Sequence, residues 1–163
     1  MSVSSQEARA GAPAGTTGRE LGQVDVLIIG AGFSGLCVAR GLRRRGFSFR
    51  ILERAGDVGG TWRDNTYPGC ACDVPSHLYS FSFAPNPAWS RSFSRQPEIW
   101  QYLDDVSERY ALGRHIRFAA EVTGARWVEA TGTWEVTTAA GDRHVARAVV
   151  SAIGALHVPA TPR

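Results

Sequence analysis

The run Gly30-Ala31-Gly32-Phe33-Ser34-Gly35 has the spacing G-x-G-x-x-G. Three glycines at these intervals suit a backbone that bends around a diphosphate. Gly30 permits a tight turn out of a strand. Gly32 leaves room for main-chain amides to approach phosphate oxygens, and Gly35 lets the following helix pack closely. Phe33 and Ser34 fall on the first turn of that helix, where unpaired N–H groups and the positive dipole end favour an anion. Glu53 follows Gly30 by 23 residues, where its carboxylate can accept hydrogen bonds from the hydroxyls of an adenosine ribose. The same charge repels a 2′-phosphate, so the pattern favours FAD or NAD over NADP. Ser34 has no nearby base in the sequence and is not a candidate nucleophile.

The surrounding elements must place that turn between strand and helix. Val24 to Ile29 is a short apolar run ending at Gly30, as a strand buried on both faces would read. Ser34 to about Arg45 carries Leu36, Val38, Ala39 and Leu42 at helical spacing, and Gly46 stops it. Arg43, Arg44 and Arg45 then meet the negative end of the helix dipole. Phe47 to Leu52 is a second strand, so strand, helix and strand fit within one βαβ unit. From Arg54 to Pro97 no period survives, and a loop this long inside a compact domain is usually functional. Pro97 opens a helix to about Tyr110 with Ile99, Trp100, Leu103, Val106 and Tyr110 on one face. Strands follow at Ile116–Phe118, Val122–Glu129 and Thr133–Thr138, and a last one covers Arg143 to Ile153, meeting Gly154.

Composition narrows the class. The 163 residues are 44% hydrophobic and 20% charged, the balance of a single globular domain. The net charge is +3, and all 18 basic side chains are Arg, a pattern of coding bias rather than of nucleic-acid binding. No apolar stretch approaches the roughly 20 residues that span a bilayer. Met1 to Gly22 lacks the apolar core of a signal peptide and reads as a disordered leader. The three cysteines, Cys37, Cys70 and Cys72, suit a reducing cytoplasm rather than a disulfide framework. Cys70 and Cys72 have no second ligand pair, and His77, His115, His144 and His157 show no metal spacing, so no metal is expected.

The residues beyond the ribose acid favour FAD over NAD. Gly59-Gly60-Thr61-Trp62 is a second glycine-rich turn, able to run beside a flavin's ribityl chain and pyrophosphate. A β-meander at Ile116–Thr138 and a final strand ending in Gly154 resemble the glutathione-reductase-like, two-dinucleotide-binding oxidoreductases. Gly59 to Trp62, then Asn65-Thr66-Tyr67-Pro68-Gly69, then Cys72 to Phe83 resemble the N-terminal flavin region of Baeyer–Villiger monooxygenases, which are class B flavin-containing monooxygenases. Phe93 to Ile99 and Ser151 to Leu156 also match that pattern. The resemblance runs from about Val24 to Pro162. It implies an α/β fold: a Rossmann-like FAD-binding βαβ domain with a β-meander insertion, incomplete, over residues 23–163. It also implies an enzyme in which NADPH reduces FAD and O2 then forms a C4a-peroxyflavin that inserts one oxygen into a small-molecule ketone.

The same resemblance assigns Asp73 a place near flavin and nicotinamide, as a buried carboxylate that orients an active-site Arg. Trp62 would pack near the isoalloxazine, Tyr79 would pack or hydrogen-bond near the flavin, and Val122 would meet the adenine through its backbone. Arg54, Gly60, Thr61 and Gly154 complete the expected cofactor set. The family also needs a second dinucleotide-binding domain for NADPH, and this chain has one G-x-G-x-x-G. The expectation is therefore the N-terminal part of an enzyme, inactive alone, whose partners are substrate, O2 and a missing C-terminal half, with neither nucleic acid nor membrane. The alternatives are a class B enzyme that oxygenates nitrogen or sulfur, and a non-catalytic nucleotide-binding fragment.

Overall fold

The computed structural model describes residues 19–156 and residue 162. The expected leader therefore lies mostly outside the described residues, as does His157. Within them the chain forms β1 (Glu20–Ile29), α1 (Phe33–Arg44), β2 (Phe49–Leu52), α2 (Thr61–Asp64), α3 (Gln96–Arg109), β3 (Ile116–Arg117), β4 (Val122–Val128), β5 (Thr133–Thr138) and β6 (Arg143–Ser151). One six-stranded sheet has the order β3-β2-β1-β6-β5-β4. β1 runs parallel to β2 and β6, and β2 parallel to β3, whereas β4, β5 and β6 pair antiparallel. This is an α/β Rossmann-like arrangement in which α1 makes the crossover between β1 and β2.

Three expectations are corrected. The first strand begins at Glu20 rather than Val24, because Glu20 and Leu21 pair with Arg143 and His144 of β6. The expected meander over Ile116–Thr138 is divided. Ile116 and Arg117 pair in parallel with Ile51 and Leu52 on one sheet edge, while β4 and β5 extend the other edge through β6. Between them Ala119, at a φ of +52°, turns the chain across the strand ends. Its N–H donates to the Ala55 carbonyl at 3.0 Å, and that of Ala120 to the Glu53 carbonyl at 2.9 Å. The long loop also holds a short helix, α2, and an antiparallel bridge between Ala71 and Arg95.

The main core lies where α1 and α3 cover the sheet: Ile28, Leu36, Ile51, Leu103 and Val106 are buried together. α3 uses the expected face, with Ile99, Leu103 and Val106 buried, and adds Tyr102. The Tyr102 hydroxyl donates to the Ala84 carbonyl and accepts the Phe81 N–H, both at 2.8 Å. One buried phenol thus ties the long loop to the helix and satisfies two main-chain groups that burial would otherwise leave unpaired. Ser76 and Ser94 serve the same purpose further along, joined hydroxyl to hydroxyl at 2.9 Å.

His144 is fully buried on β6. Its Nδ1 lies 3.2 Å from Arg50 Nη1, which has only protons to give, so Nδ1 accepts and the ring is neutral. Burial, and then the positive charges of Arg50 and Arg117, push its pKa down to about 4. The unfolded chain binds that proton near pH 6.5, its ordinary value. Stability contributed by the neutral ring is therefore complete above about pH 6.5 and declines as pH falls towards about 4. Urea unfolding between pH 7 and pH 5 is expected to show this decline, and His144→Leu should flatten it. An equally steep decline in His144→Leu would assign the effect to other groups.

Candidate functional site

The two glycine-rich turns meet at a groove of about 610 Å³ at the C-terminal ends of β1, β2 and β6, where the Gly59 N–H donates to the Ala31 carbonyl at 3.0 Å. β1 lies between β2 and β6 in the order β3-β2-β1-β6-β5-β4, so the groove opens beside the point where the strand order reverses, the usual ligand position in such sheets. On one wall Gly30, at a φ of +103°, lets the chain leave β1. A Cβ there would lie 2.5 Å from the Ala152 carbonyl oxygen of the neighbouring strand exit. Gly35 meets Gly30 more closely: a Cβ on it would fall 1.9 Å from the Gly30 carbonyl oxygen. Helix and turn touch backbone to backbone because neither residue has a side chain.

Gly32 differs from both. A Cβ on Gly32 would meet only Gly60 Cα at 3.8 Å and the Gly59 carbonyl oxygen at 4.0 Å, both on the second glycine-rich turn. The packing of the protein itself does not require glycine at this position. Gly32 is also the N-cap of α1, whose first turn carries no acidic residue and no side-chain cap. The positive end of a 12-residue helix is left for an external anion.

Glu53 fixes the turn. Its side chain is buried, and Oε2 accepts the Ala31 N–H at 2.8 Å. Oε1 accepts the Ala55 N–H at 3.0 Å and pairs with Arg63 at 3.2 Å. Burial opposes the Arg63 charge, but hydrogen bonding to Asp64 and the charges of Glu53 and Asp64 raise its pKa overall. A carboxylate offers about four acceptor directions, so Glu53 can hold the turn and still receive a hydroxyl from the groove. After the second turn the Trp62 indole N–H donates to the Tyr79 hydroxyl at 3.1 Å. Tyr79 in turn packs edge-on to Phe33 with ring centroids 4.9 Å apart. The Tyr79 oxygen accepts from Trp62, so its own proton remains available.

Of the residues selected from sequence, Gly30, Gly32, Phe33, Ser34, Glu53, Arg54, Gly60, Thr61, Trp62, Tyr79, Val122 and Gly154 line this groove. Gly35 lies behind it, in the helix–turn contact. Asp73 does not line it: the expected buried carboxylate is exposed on the turn after Cys72, with no hydrogen bond or ion pair among the described residues. The turn is held by its neighbours, through the Cys72 N–H on the Ser94 carbonyl and the Ser76 N–H on the Ser92 carbonyl. Among the lining residues that sequence reasoning missed are Arg63, Ala120, Glu121 and Ile153. Arg63 carried a signal, as the first cation after Gly59-Gly60-Thr61-Trp62 and ten residues from Glu53. Among the described residues no cluster of three His, Cys, Asp or Glu side chains could hold a metal, and no helix is long and apolar enough to cross a membrane.

Residues 28–106 match a family of NAD(P)-binding Rossmann-like domains. A Baeyer–Villiger monooxygenase of Streptomyces coelicolor is 55% identical over 140 residues, covering 85% of this chain and 27% of the relative. The fold superposes on a solved steroid monooxygenase bound to NADP with a TM-score of 0.83 at 42% identity, covering 87% of this chain and 28% of the other. A solved OTEMO complex with FAD and NADP gives a TM-score of 0.81 at 35% identity, covering 85% and 27%. The chain thus spans about a quarter of the length of the relatives it matches. By sequence and by fold the chain matches Baeyer–Villiger monooxygenases over about a quarter of their length.

Proposed function

We propose that the groove holds FAD, and that residues 23–163 are the N-terminal, FAD-binding portion of an NADPH-dependent monooxygenase acting in the cytoplasm. When bound, FAD would supply the redox chemistry by which NADPH and O2 place one oxygen atom in a small-molecule ketone, the other oxygen leaving as water. The chain's own residues bind and orient it. The Gly30–Gly35 turn and the start of α1 receive the diphosphate, Glu53 takes the adenosine ribose, and the backbone around Val122 faces the adenine. Arg54, exposed at the rim, adds a cation near the diphosphate. Gly60, Thr61, Trp62, Tyr79 and Gly154 flank the flavin half. Asp73 reaches its role through groups contributed by the rest of the enzyme, together with the NADPH site.

One observation carries this reading: the Glu53 carboxylate grips the Ala31 N–H at 2.8 Å inside the groove that the glycine turn lines. A ribose acceptor and a phosphate turn are thereby held in fixed relation. Glu53→Gln tests it. The amide keeps one acceptor and turns an N–H₂ group towards Ala31 N–H or Arg63, and the ion pair is lost. Removing a charge-assisted partner is expected to loosen FAD about tenfold or more. It should also lower stability by about 1–3 kcal/mol, the usual cost of an unsatisfied buried group. FAD titration followed by flavin fluorescence, beside thermal unfolding, reads both. An unchanged FAD affinity in Glu53→Gln would remove the ribose assignment.

A further inference from the structure

A second, smaller pocket lies at the other end of the sheet, towards the N-terminal ends of β1 and β2. It measures about 360 Å³ and is lined by Leu21, Phe49, Arg50, Arg114, His115, Ile116 and Arg117. Three guanidiniums and an imidazole face it, and no carboxylate lines it. Arg117 Nη2 is paired with Asp142 at 2.8 Å, but Asp142 is shared, since its other oxygen accepts the Arg19 N–H at 3.2 Å. Arg50 uses only neutral partners: Nη1 reaches the Leu21 carbonyl at 3.0 Å and His144 Nδ1 at 3.2 Å. Arg114 Nε donates to His115 Nε2 at 3.2 Å, and the His115 ring is stacked on Phe49 with centroids 4.2 Å apart.

The arrangement leaves positive charge in excess at one concave point. Arg50 feels it, as burial and the charge of Arg117 lower its pKa from the ordinary value. Like charges are not brought together in a half-buried pocket without cost unless an anion offsets them. Both terminal nitrogens of Arg114, and Nη1 of Arg117, have no protein acceptor among the described residues. Guanidinium forks approaching from β2, β3 and the turn before β3 suit a tetrahedral oxyanion better than one flat carboxylate, which a single fork satisfies.

We propose that this pocket binds a phosphate group, free or at the end of a small molecule, at a site separate from the dinucleotide groove. The test is calorimetric titration of the purified chain in phosphate-free buffer at 0.15 M salt, first with inorganic phosphate and then with ADP. Phosphate is expected to saturate one site with a Kd below about 1 mM. Arg114→Ala, an exposed side chain bonded only to His115, should weaken it about tenfold while the fold is kept. Gly32→Val, in the groove, should leave phosphate binding unchanged. In the Gly32→Val background, tighter binding of ADP than of phosphate assigns a phosphorylated small molecule, and equal affinity assigns the free ion. No saturable phosphate binding, or binding lost in Gly32→Val and kept in Arg114→Ala, overturns the proposal.

Discussion

Gly35→Ala is expected to cost the chain at least about 3 kcal/mol, a large share of the roughly 5–15 kcal/mol that holds a domain together. The new Cβ would lie 1.9 Å from the Gly30 carbonyl oxygen and 3.0 Å from its carbon, where carbon contacts normally begin near 3.5 Å. Neither side can yield cheaply. The Gly30 N–H is bound to the Leu52 carbonyl at 2.8 Å, and α1 buries Leu36 and Ala39 beside Gly35. The helix must therefore lift from the strand. Overpacking a core costs about 1–3 kcal/mol even where side chains can move, and here the obstruction is main chain. Gly41→Ala on the same helix is the control. Its Cβ would meet only the end of the Arg45 side chain at 3.7 Å, and helix propensity should make it neutral or stabilising by up to about 1 kcal/mol. Urea unfolding of the two variants measures the contrast. Equal stability would mean that α1 is not seated on the Gly30 turn.

Gly32→Val, three residues earlier, is expected to do the reverse: the fold stays and the flavin is lost. Its Cβ has ordinary contacts at 3.8 and 4.0 Å within the protein. The backbone is extended there, with φ at −85° and ψ at −164°, which a β-branched residue tolerates. A weaker N-cap should lower stability by only about 1 kcal/mol. The two methyl groups, however, occupy the space through which a diphosphate would reach the amides of α1. Loss of that contact is expected to weaken FAD at least 100-fold, equivalent to about 2.7 kcal/mol. Gly32→Ala should fall between. Normal flavin content in a folded Gly32→Val protein would contradict the use of this turn for phosphate.

Opposite outcomes for glycines three positions apart show how far the sequence could be read. The G-x-G-x-x-G spacing was legible because each interval answers a separate steric demand, and two of those demands are now visible as distances at Gly30 and Gly35. Glu53 was legible because a strand of fixed length delivers it to the same end of the sheet as the turn. Its second task, gripping Ala31, was not, since nothing in the spacing says which atom a carboxylate reaches. The strand at Ile116 was expected, but its pairing beside Ile51 and Leu52 escaped, because two residues are too few to signal which edge they join. α2 escaped because so short a helix carries no periodicity. Asp73 shows the limit of a motif: its neighbours Cys72 and Ser76 are buried within this chain, while its own carboxylate faces outward.

The most direct test is to titrate the purified 163-residue chain with FAD and follow the flavin fluorescence, with Gly32→Val beside it. Saturable uptake of one FAD per chain is expected for the wild type, and none for the variant over the same concentration range. No uptake by a folded wild-type chain, or identical curves for the two proteins, would contradict the assignment of the groove to FAD.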